Sequence, residues 1–85
     1  MKPECQSLEA LIASNNMIEE VELSGLSQLR LLQLQNNKIN DLPDMKLLGL
    51  EELNLSHNRL SNVRGIEKLI LLKKLNLSKN LLSHI

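Results

Sequence analysis

Apolar residues recur along this chain in one fixed phrase. Leu50, Leu53, Leu55 and Leu60 stand in the line L-x-x-L-x-L-x-x-N-x-L, with Asn58 as its polar position. The line returns at Leu29, Leu32, Leu34, Asn37 and Ile39, and again at Leu72, Leu75, Leu77, Asn80 and Leu82. A weaker copy opens at Leu8 and keeps Leu11, Asn16 and Ile18 in register, with Ala13 where the others carry leucine. The asparagines at 16, 37, 58 and 80 lie 21, 21 and 22 residues apart. A fixed period in the twenties marks a solenoid of stacked short units. Within a line, the alternation L-x-L is strand periodicity, which sends Leu53 and Leu55 to one face and Glu52, Asn54 and Ser56 to the other. So short a strand is stable only when stacked on its copies at about 4.8 Å, as a parallel sheet whose inward leucines share one core. Between lines, the x-x-L-x-x-L spacing predicts turns or short 3₁₀ segments. A bundle of heptads fails, because from Leu29 and Leu32 it puts Asn36 in the seam and from Leu50 and Leu53 it puts His57 there.

These lines resemble the leucine-rich repeat family. The resemblance implies an α/β, right-handed solenoid with a short parallel sheet on its concave face and turns or 3₁₀ segments on its convex face. The stretch Asn58-x-Leu60-x-x-Val63-x-Gly65-Ile66-x-x-Leu69-x-x-Leu72-x-x-Leu75 is similar to the intracellular 22-residue subclass found in the regulatory subunit of protein phosphatase type one. Two linkers depart from it. The first reads Val21-Glu22-Leu23-Ser24-Gly25, and the second has Asp44-Met45 in place of Gly-Ile after Pro43. The expected organisation is a polar N-terminal lead over 1–7 and a domain of four repeats over 8–85, the last truncated, with Ile18, Val21 and Leu23 turned inward between three exposed glutamates.

Asn16, Asn37, Asn58 and Asn80 fall where each strand bends into a loop. A side-chain amide both donates and accepts, so in register these four form a ladder that satisfies backbone groups left unpaired by the bend.

Composition narrows the function. Apolar residues make up 42% and charged residues 24% with no net charge, which is ordinary for a folded domain and gives no global pull toward nucleic acid or an anionic membrane. Cys5 is the single cysteine, and no apolar run reaches the ~20 residues of a membrane span. These features point to a cytoplasmic setting, with nuclear and ciliary ones open. No glycine-rich phosphate loop or paired-cysteine motif occurs, and His57 and His84 are far apart. No enzyme, cofactor, catalytic group or metal site is expected. The sequons Asn54-Leu55-Ser56 and Asn76-Leu77-Ser78 arise from the repeat line itself. Phe, Trp and Tyr are absent, which removes the usual aromatic anchors of interfaces and of base stacking.

What remains is the open face of the sheet. By phase it carries Leu31, Gln33, Gln35, Glu52, Asn54, Lys74 and Asn76, and the loops beyond add Lys38, His57, Arg59 and Lys79. Its N-terminal end is apolar, with Ala10, Ile12 and Met17, and its C-terminal end is basic. Residues 1–22 hold five glutamates against one lysine, and residues 72–85 hold three lysines and no acid. The expected function is a non-enzymatic protein-protein interaction module that uses this face. The alternatives are a structural segment of a longer repeat scaffold, or a ribonucleoprotein contact through the basic rim. No small-molecule substrate and no membrane partner is expected, and self-association or a longer parent chain is the expected use of an uncapped C-terminal end.

Overall fold

The computed structural model describes residues 7–23, 25–42, 47 and 49–82. Four strands of three residues each form a single parallel sheet: β1 (Ala10–Ile12), β2 (Leu31–Gln33), β3 (Glu52–Asn54) and β4 (Lys74–Asn76). They lie side by side in chain order, so each unit stacks on the one before it. The register is set by the repeat: Leu11, Leu32, Leu53 and Leu75 form one column, and Ile12, Gln33, Asn54 and Asn76 the next. With almost no helix among the described residues and their four strands parallel, this is a leucine-rich repeat solenoid. The strands begin one residue earlier than the L-x-L alternation marks. Pairing nevertheless continues past them, because the Leu34 and Leu55 N–H groups donate to Asn54 and Asn76 carbonyls at 2.9 Å.

Behind the sheet lies one core. Leu23, Leu26, Leu29, Leu32, Leu34 and Ile39 pack with Leu47, Leu50, Leu53, Leu55, Leu60, Val21 and Leu69, all buried. Ile18 is half-buried against this core, while Glu19, Glu20 and Glu22 are exposed, as the spacing predicts. The x-x-L-x-x-L linkers close as successive tight turns. Leu26 N–H bonds Leu23 O and Leu29 N–H bonds Leu26 O, both at 3.2 Å, and Leu50 N–H bonds Leu47 O at 2.9 Å. After the third asparagine there is one residue more. The chain uses it in a third turn, with Ile66, Leu69 and Leu72 bonded to Val63, Ile66 and Leu69, and Ile66–Lys68 becomes a 3₁₀ segment. The residues expected to mark the second linker, Pro43, Asp44 and Met45, lie outside the described residues, as do most of the polar lead, Cys5, His84 and Ile85.

Candidate functional site

The asparagine ladder sets the level of the loops that rim the sheet. Asn58 lies in the bend after β3, where its Nδ2 donates to Leu34 O at 2.9 Å in the coil before, and to Leu55 O and Ser56 O in its own coil. Its Oδ1 accepts from Ile39 N–H at 3.1 Å. Asn37 repeats this set on Ala13, Leu34, Gln35 and Ile18, and Asn80 repeats it on Leu55, Leu77, Ser78 and Leu60. Every rung therefore reaches back one coil. Asn16 differs: it is exposed, and among the described residues its Nδ2 bonds Ala13 O and Ser14 O of its own loop.

One residue before each rung the backbone turns left-handed. Asn15, Asn36, His57 and Lys79 have φ of 59°, 61°, 56° and 59°. Asparagine tolerates this region well, histidine and lysine less so. The sequence reading missed this constraint, whose only signal is that two of the four positions are asparagine.

On the open face, six of the candidate residues meet. Leu31 and Gln33 of β2, Glu52 and Asn54 of β3, and Lys74 and Asn76 of β4 line one shallow hollow of about 240 Å³, together with Leu53 and Leu75. The other five candidates, Gln35, Lys38, His57, Arg59 and Lys79, stand in the loops beyond and do not line it. His57, Arg59 and Lys79 are exposed, and Lys38 is half-buried. At the apolar end, Ile12 is 62% and Met17 73% exposed.

Two serines show how local chemistry shapes this face. Asn54 Oδ1 accepts from both Ser56 N–H at 3.0 Å and Ser56 Oγ at 2.8 Å, and Asn76 holds Ser78 by the same two distances. Both amides are thereby fixed with the oxygen satisfied, and neither Nδ2 has an acceptor among the described residues. Ser56 was expected on the open face. It is only 5% exposed, because the next coil covers it; Ser78 makes the same pair of bonds and stays exposed. In repeat two the same phase reads Gln33-Leu34-Gln35, which cannot make the short loop, and the Gln35 Oε1 atom is buried without a hydrogen-bond partner.

Charge is more paired than the sequence suggests. Lys74, expected on a free basic rim, lies 3.7 Å from Glu52 across the strands. Glu51 sits between Arg30 at 3.9 Å and Lys73 at 3.1 Å. Lys38, Arg59 and Lys79 have no ion pair among the described residues. No group of three or more His, Cys, Asp or Glu among those residues is placed to hold a metal ion.

Residues 49–69 match the family model described as Leucine Rich Repeat. The chain is 45% identical over 65 residues to podocan-like protein 1 of Homo sapiens, an alignment covering 67% of this chain and 13% of that protein. It is 42% identical over 59 residues to the protein phosphatase PHLPP-like protein of Drosophila melanogaster, covering 66% of this chain and 6% of that one. It is 40% identical over 60 residues to lumican of Oryctolagus cuniculus, covering 67% and 31%. The aligned stretch thus spans less than a third of each of these relatives. No solved structure matches the chain.

Proposed function

With the leucine-rich repeat family supported by the family model and by these relatives, we propose that the chain is a docking module whose open sheet face takes an extended, acidic protein segment. Leucine-rich repeats in general mediate protein-protein interaction and are in general non-enzymatic. The phosphatase activity in one relative's name belongs to that protein, of which this chain matches only a small part.

The observation that carries the reading is the hollow across β2, β3 and β4. Its two asparagines have their oxygens held by Ser56 and Ser78, so what they offer a ligand is N–H donors. Beyond them stand Arg59 and Lys79, exposed cations, with Lys38 beside them. A segment rich in carbonyl and carboxylate acceptors fits this set, with an apolar residue toward Leu31 and Ile12. Charged hydrogen bonds of this kind are roughly twice as strong as neutral ones. The intracellular 22-residue subclass is part of the same proposal, supported by the left-handed Gly65 and the three turns that follow Asn58. So is a cytoplasmic setting, whose support is the single cysteine.

The test is a titration of the isotope-labelled chain with acidic, neutral and basic peptides of equal length, each carrying one leucine. Shifts confined to Asn54, Asn76, Arg59 and their neighbours, and only with the acidic peptide, are expected. Reversing Lys38, Arg59 and Lys79 to glutamate is expected to weaken binding at least tenfold and to flatten its salt dependence. Binding that survives the triple reversal in a folded chain overturns the reading.

A further inference from the structure

Two neighbouring columns of the sheet hold a carboxylate differently. In the column just before the strands, Glu51 stands between Arg30 of the coil before and Lys73 of the coil after. Arg30 Nε lies 3.9 Å from its Oε2 and Lys73 Nζ 3.1 Å from its Oε1, so each carboxylate oxygen faces a cation. In the column that opens the strands, Leu31, Glu52 and Lys74 are register partners. Lys74 Nζ lies 3.7 Å from Glu52 Oε1. On the other side stands Leu31, whose side chain donates nothing, and Glu52 Oε2 has no ion pair or hydrogen bond among the described residues. Where Glu51 has two cations, Glu52 has one.

We propose that Glu52 is a specificity-determining residue of the open face, and that it takes one basic side chain of the docked segment at a point set apart from that segment's acids. This rests on the docking function assigned to that face.

The place beside Glu52 is reachable. Leu31, Glu52 and Lys74 all line the hollow, and the Glu52 side chain is 44% exposed. A lysine of a segment lying in the hollow runs its methylenes over the half-buried Leu31 and sets its ammonium on Oε2. Lys74 does not make this contact superfluous. Its side chain is largely exposed and its approach to Glu52 is long, so the pair is of the loose surface kind that contributes little.

The same carboxylate decides where the acids of the segment go. An acid placed at the strand starts meets Glu52 and is repelled. At the far end of the strands stand Lys38, Arg59 and Lys79, which have no ion pair among the described residues. The face is therefore ordered along the strands: a carboxylate at their starts, the N–H donors of Asn54 and Asn76 on the way, and cations in the loops beyond. A segment that carries a base at one end and its acids at the other matches this order, and a uniformly acidic one does not.

Two acidic peptides that carry one leucine each test this. They differ at a single position away from the acids, which is lysine in one and methionine, of similar length and uncharged, in the other. Both are titrated by calorimetry against the parent chain, Glu52→Gln and Glu51→Gln. The parent is expected to bind the lysine peptide about threefold more tightly than the methionine peptide. Glu52→Gln is expected to abolish that advantage. Glu51→Gln removes the same charge from a carboxylate already flanked by two cations, and is expected to keep it. An advantage that survives in folded Glu52→Gln, or that falls equally in both variants, overturns the proposal. So does its absence in the parent while the methionine peptide still binds, and each of these results leaves the docking function standing. Binding of neither peptide overturns both.

Discussion

Asn58 and Asn16 occupy the same place in the repeat and differ in what they hold. Asn58 is buried and makes four hydrogen bonds, two of them to the coil before, whereas Asn16 is exposed and among the described residues bonds its own loop alone. Asn58→Ala strands the buried Ile39 N–H and takes one of two donors from the Leu34 carbonyl, which keeps Asn37 Nδ2, and is expected to cost about 1–3 kcal/mol in urea denaturation. Asn16→Ala is expected to cost less than half as much, and equal losses would mean the ladder does not bear on stability. At the residue before, His57 stands at φ 56° with its N–H bonded to Ser78 O. His57→Asn keeps a polar surface residue but suits the left-handed region, and a rise in stability of about 0.5–1 kcal/mol is expected in the same assay. The ladder was legible because one residue type recurs at one phase. The left-handed turn was not, because the bend itself sets the backbone at that phase, at Lys79 as at the other three, and Asn, His and Lys all occupy it.

The linkers show how far element length is written in leucine spacing. Turns closing on Leu26, Leu29, Leu50, Ile66, Leu69 and Leu72 follow from x-x-L-x-x-L, and the single extra residue after Asn58 gives the third turn and the 3₁₀ segment. Gly65 caps that segment at φ 97° with open space where a Cβ would stand. Gly65→Ala is therefore expected to lose about 1–2 kcal/mol through backbone conformation alone. Gly49, also in open space and without such a φ, is expected to accept alanine at a few tenths of that loss, so the two thermal melts together separate conformation from crowding. The strand ends were harder to foresee. Ser56 bonds back to Asn54 and is covered by the next coil, and the glutamine pair of repeat two leaves the Gln35 Oε1 atom buried and unpaired. Gln35→Met removes that cost while keeping the volume, and chemical denaturation is expected to find the variant as stable as the parent or more so.

Across the whole molecule, stability follows position in the stack. Side chains facing neighbours on both sides are buried, as Leu32, Leu34, Leu53 and Leu55 are, while every residue of β4 is exposed although its line matches the repeat as well as theirs. The phase of the open face was readable for this reason: Leu31, Gln33, Glu52, Asn54, Lys74 and Asn76 meet wherever strands stack in register. Pairings across coils, such as Lys74 with Glu52, depend on which residues share a column, and that becomes visible only once the 21- and 22-residue spacings are aligned. Stacked repeats gain stability mainly from their neighbours, so protection should fall from the middle of the stack to its edges. The amides of Leu34, Ile39 and Leu55 are expected to exchange slowest, and those of Leu77 and Lys79, which have no acceptor among the described residues, fastest among the corresponding loop positions. Equal exchange at all five would instead mark stability spread evenly along the stack.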